Sequence, residues 1–123
     1  MTHITFAEIA QFRSQLTEYP ATLQALDLIE DCEGDVEDAA IVLALQAGLE
    51  PDRTDQLLEG LAKRYRGLIC QENAIAQLST GSIAALVEQL LEEDALPAEL
   101  AAPVAIYAVK IGTTHFCQSP VEN

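Results

Sequence analysis

Tryptophan is absent, tyrosine and phenylalanine number three each, and lysine and arginine together reach only six against twenty acidic residues. The scarcity of cations excludes one large class of function. A chain of formal charge -14 cannot make the many phosphate contacts that drive nucleic-acid affinity, and it is repelled by anionic membranes. The scarcity of aromatics leaves an apolar half built from Ala, Leu, Ile and Val, rich in helix formers, so an aliphatic, closely packed core is expected. No apolar run approaches the roughly 20 residues needed to span a bilayer. Met1-Thr2-His3-Ile4-Thr5 has neither a charged n-region nor an apolar h-region, so no secretory signal is expected and the protein reads as cytoplasmic. Cys32, Cys70 and Cys117 are odd in number and without a CxxC pair, which predicts reduced thiols.

What is present is helical periodicity. Thr5 and Glu8 form a capping box and Ile4 with Ile9 a hydrophobic staple, opening a helix from Phe6 to about Thr17 with Phe6, Ile9, Ala10 and Leu16 mostly on its inner stripe and Phe12 beside it. Pro20 starts a second helix with Leu23, Leu26 and Ile29 inward, and Gly34 reverses the chain in a left-handed conformation. Asp35 is the N-cap of a third helix through Ile41, Val42, Leu43 and Leu45 to Gly48. It is apolar on nearly all sides and expected to be central and buried. A long helix is expected from Arg53 to Cys70, a weaker helical pattern to Leu78, and another helix after the candidate caps of Ser79-Thr80-Gly81-Ser82. Pro97 and Pro103 suit helix starts, with Gly112 as a stop. No segment alternates as a strand would. The expectation is a single all-α domain over residues 1–112, a bundle or orthogonal array of about six helices without a β-sheet, followed by a poorly ordered tail at 113–123.

One segment stands out chemically. Between Arg13 and Arg53 lie ten carboxylates and no Lys, Arg or His, and six of them crowd into Glu30-Asp31-Cys32-Glu33-Gly34-Asp35-Val36-Glu37-Asp38. Alternating oxygens invite a calcium reading, but an EF-hand loop begun at Asp31 needs glycine at 36 and glutamate at 42, and both positions are valine. Asp35 has local work as a cap, and Glu37 and Asp38 lie at a helix N-terminus where negative charge is favoured. Glu30, Asp31 and Glu33 have no such explanation.

The stretch Ala25 to Leu43, with its Ala-Leu helix, Gly34-Asp35-Val36 turn and Ala-rich helix, is similar to the second and third helices of ubiquitin-associated domains. It covers under a fifth of the chain. The resemblance implies helix, Gly-Asp corner, buried helix; the glycine-aromatic loop by which that family contacts ubiquitin has no match before Tyr19-Pro20, so ubiquitin binding is not implied.

Lys63-Arg64-Tyr65-Arg66 holds three of the six cations, and Glu59 precedes Lys63 by the four residues of a favourable helical ion pair. His115 and Cys117 are too few for a zinc site without distant partners. There is no GxSxG, CxxC or HExxH, and Cys32 among carboxylates is poorly placed to form a thiolate. The expectation is therefore a protein-protein interaction domain without catalytic residues, cofactor or metal. The expected partner is a protein with a basic surface, and the candidate binding residues are Glu30, Asp31, Glu33 and Asp35 with Lys63, Arg64 and Arg66. Two alternatives accompany it: a subunit that self-assembles as a homodimer through the uncharged segment Leu100 to Val109, whose small residues could pack against a second chain, and a carboxylate- or metal-dependent enzyme or cation-binding protein.

Overall fold

The computed structural model describes residues 2–49, 56–93 and 96–118, and among them the secondary structure is helical, with one isolated antiparallel bridge between His3 and Asp35. The expected all-α class is what the chain adopts. In order come α1 (Phe6–Gln15), α2 (Pro20–Asp31), α3 (Val36–Gln46), α4 (Leu57–Arg64), α5 (Arg66–Ile69), α6 (Glu72–Leu78), α7 (Ala84–Leu91), a 3-10 turn (Ala98–Leu100), α8 (Ala101–Ile111) and α9 (Thr113–Gln118). None is long and apolar enough to cross a membrane, among the described residues.

Helix α8 is the centre. It packs against α2, α3, α4, α7 and α9, and Ala101 to Ile106 and Ala108 are buried. Its small side chains let neighbouring helices approach closely, and removal of this uncharged surface from water is the main driving force at the core. Pro103 sits in the first turn, where its missing N–H leaves no bond unmade, and Gly112 ends the helix at φ 85°. The chain's own helices cover most of this segment, and Tyr107 and Val109 remain partly exposed.

The capping box of α1 forms as read: the Thr5 hydroxyl accepts from the Glu8 N–H at 3.1 Å, and the Thr5 N–H donates to Glu8 at 2.9 Å. The staple residues Ile4 and Ile9 are both buried. Phe6, 64% exposed, and Ala10, also exposed, are not on the inner stripe. Ile9, Phe12 and Leu16 define the buried line, and Phe6 lies roughly a quarter-turn away from it. Lys110 of α8 ties to Glu8 at 2.7 Å, and its ammonium, followed by the Thr5 backbone, holds the Glu8 carboxyl below the usual carboxylate range.

The helix expected from Arg53 to Cys70 is divided. Its first residues lie outside the described part, and it breaks at Tyr65, whose φ of -102° and ψ of 22° leave the helical region. The break falls between Gly60 and Gly67, each of which weakens a helix by about 1 kcal/mol relative to alanine. Helix α7 is capped from a distance and not by its preceding serines and threonine. The Gln15 side chain accepts from the Ile83 N–H at 2.8 Å and donates to the Gly81 carbonyl at 3.1 Å, which locks the end of α1 to the start of α7. Ser79 and Thr80 bond back to their own helix instead.

Three further expectations are corrected. Residues Thr113–Gln118, the first part of the expected tail, form α9, while 119–123 lie outside the described residues, and Cys117 is joined to Cys70 by a disulfide across 47 residues of sequence. Two of the three cysteines are thus paired, and Cys32 alone is a free thiol. Helix α3 is only half buried: Val36, Ala39, Ala40, Leu43 and Ala44 face the core, while Val42 and Leu45, with Leu49 beyond the helix end, face outward.

Candidate functional site

The acidic corner joins α2 to α3. It is closed by the bonds of a Schellman motif, Glu33 N–H to Glu30 carbonyl and Gly34 N–H to Ile29 carbonyl, both at 2.9 Å. In that motif the left-handed position falls on Glu33, at φ 57°, and not on Gly34 alone. Gly34 follows at φ 88°, where the N-terminal segment crosses it: the Ile4 N–H donates to the Gly34 carbonyl at 3.0 Å and the Val36 N–H to the Thr2 carbonyl at 2.9 Å. A backbone held on both sides presents its side chains in fixed directions.

Most of the carboxylates have work inside the chain. Asp35 caps α3 by accepting from the Asp38 N–H at 3.0 Å. Glu37 accepts from the Thr2 N–H at 2.6 Å and from its hydroxyl at 3.2 Å. Glu30, without an explanation in the sequence, shares Arg13 with Asp27, which lies 2.5 Å from the guanidinium. These partners, Asp27 first, hold the Arg13 guanidinium above its already high range, so this cation stays charged and engaged. Asp31 and Glu33 are exposed and make no ion pair or hydrogen bond through their carboxylates among the described residues.

Cys32, half-buried between them, has its thiol pushed up first by burial and then by the charges of Asp38, Asp35 and Asp31. Because the raised value keeps the sulfur protonated, iodoacetamide is expected to alkylate Cys32 more slowly than free cysteine at neutral pH, with the rate rising on alkalinisation. Mass spectrometry of the intact protein over time checks this, and alkylation as fast as free cysteine would contradict it.

The basic strip does not act as one surface. Lys63 pairs with Glu59 at 3.2 Å, as the four-residue spacing predicts, and Arg64 lies 5.6 Å over the Tyr65 ring. Arg66 turns the other way, donating to the Cys117 carbonyl at 3.1 Å and sitting 5.1 Å over the Phe116 ring. It therefore helps to seat α9, beside the disulfide. A shallow cleft of about 420 Å³ near Arg64, Tyr65, Gln71 and Glu93 collects no converging catalytic groups. Among the described residues no group of three or more His, Cys, Asp or Glu is placed to hold a metal ion. Cys117, a zinc candidate in the sequence, is committed to Cys70.

Sequence reasoning missed the Arg13 link to Glu30, the Cys70 link to Cys117 and the outward face of α3. No local signal announces the first two, since both connect residues far apart in sequence. Compared with known proteins, the chain matches no family model, no curated sequence and no solved structure, so its functional reading rests on its own residues.

Proposed function

We propose that this chain is a non-catalytic interaction domain that holds a protein partner with a basic surface, and that the acidic corner is its point of contact. One observation supports the reading above others. Glu33 occupies a left-handed backbone position where glycine would cost nothing, and its exposed carboxylate, like that of neighbouring Asp31, has no partner among the described residues. Conformational strain at a residue that does no intrachain work points to an outside role. The net charge of -14 adds long-range attraction for a basic partner and speeds encounter. Lys63 and Arg64 form a second, weaker contact candidate, whereas Arg66 belongs to the seating of α9.

The test separates folding from binding with one substitution. Glu33→Gly is expected to leave stability unchanged or raise it by up to about 1 kcal/mol, because the left-handed penalty disappears. The same change is expected to reduce retention of basic proteins from native lysate on the immobilised domain. Equal retention by both proteins, compared at matched load and salt, would count against the corner as the contact point.

A further inference from the structure

Helix α3 carries an apolar face that is exposed among the described residues. Val42 and Leu45, three residues apart on the helix, are 36% and 58% exposed, and Leu49, past the helix end and the left-handed Gly48, is 38% exposed. Beside this face, Leu43 and Gln46 of α3 and Leu28 of α2 line a groove of about 290 Å³ whose walls carry Asp27, Asp31 and Glu99. An apolar stripe flanked by carboxylates is amphipathic in a particular sense. It fits an element whose own apolar line is flanked by cations.

We propose that this face of α2 and α3 docks a basic amphipathic helix of a partner protein, its leucine-like residues on Val42, Leu45 and Leu49 and its lysines or arginines over the groove. The proposal rests on the reading of the acidic corner as the contact point and extends it from a charged patch to a shaped surface, with Asp31 common to both. Charge complementarity selects the occupant. A second copy of this chain would bring the same carboxylates face to face. The chain's described cations are already engaged: Arg13 by Asp27 and Glu30, Lys63 by Glu59, Lys110 by Glu8, Arg66 by the Cys117 carbonyl, and Arg64 on Tyr65. An anionic lipid surface is repelled by the same groove.

Fluorescence anisotropy with two labelled synthetic peptides tests the proposal. One is a lysine-rich amphipathic helix with leucines on one face; the other carries the same lysines with serines in place of the leucines. The wild-type chain is expected to bind the first about tenfold or more tightly than the second. Leu45→Ser, a change at an exposed position that leaves the core intact, is expected to abolish that preference. Glu99→Lys is expected to weaken binding of the amphipathic peptide about fivefold or more, an effect that shrinks as salt is raised. Equal affinity for both peptides, lost on Glu33→Gly but indifferent to Leu45→Ser, would overturn the docking face while leaving the corner reading standing. Failure to bind either peptide would overturn both. A wild-type dimer in sedimentation that Leu45→Ser converts to monomer would assign the stripe to a second copy and overturn the partner helix.

Discussion

Gly34→Ala is expected to lower the stability of the fold by about 3–4 kcal/mol, a loss of roughly 12–16 °C in melting temperature for a chain of this size. Two effects add. The residue sits at φ 88°, which costs an L side chain about 1–2 kcal/mol. A Cβ built there would also lie 2.2 Å from the Ile4 carbonyl oxygen, so the N-terminal segment must move away. That movement breaks the bonds from Ile4 to Gly34 and from Val36 to Thr2, and with them the contact of Thr2 with Glu37. Gly48 and Gly81 share the same φ of 88° but have open space where a Cβ would go. Alanine at either is therefore expected to cost only about 1 kcal/mol. Urea denaturation of the three variants measures the difference, and a Gly34→Ala cost no larger than the other two would show that the crossing of the N-terminal segment adds nothing to stability.

Reducing the disulfide is expected to remove about 4 kcal/mol by the chain-entropy argument, because Cys70 and Cys117 close a loop across 47 residues. The unfolded chain gains conformations when the link is cut, while α9 keeps its packing against α5, α6 and α8 and the hold of Arg66 on Phe116 and the Cys117 carbonyl. Cys117→Ser should show the same loss as reduction, and a reductant should then have no further effect on that variant. Thiol titration of the native oxidised protein should count one thiol, that of Cys32. Unfolding curves that coincide with and without reductant would mean that the link contributes nothing to the stability of the folded chain.

Signals confined to a few neighbouring residues were legible in the sequence. The capping box at Thr5, the staple of Ile4 on Ile9, Asp35 as a cap, Gly112 as a stop and the pairing of Glu59 with Lys63 all follow from chemistry within one or two helical turns. What depended on distant parts of the chain was not. Helix α3 reads as buried on all sides because its residues are apolar all round, yet α8 takes the central place and leaves Val42 and Leu45 outside. Phe6 is apolar and at helical spacing, but the staple already fills the inner line with Ile4 and Ile9. Glu30 appeared to be surplus charge until Arg13, 17 residues earlier, was brought beside it by the packing of α1 on α2.

In the candidate site the same division holds. The corner itself, with Gly34 and Asp35, was readable, but the left-handed position of Glu33 follows from the geometry of the helix end. The strip Lys63 to Arg66 looked continuous because its residues are consecutive, whereas the break at Tyr65 turns Arg66 toward α9. An apolar surface next to the acidic groove could be found only once α3 was seen to face outward.

The contact proposed for a basic partner is the pair of exposed carboxylates Asp31 and Glu33 at the end of α2. Titration calorimetry of the lysine-rich amphipathic peptide into the wild type and into an Asp31→Lys, Glu33→Lys double variant tests it most directly. At low salt the double variant is expected to bind about tenfold or more weakly while retaining its helical content by circular dichroism. Equal affinity of the two proteins, with both folded, would contradict the claim.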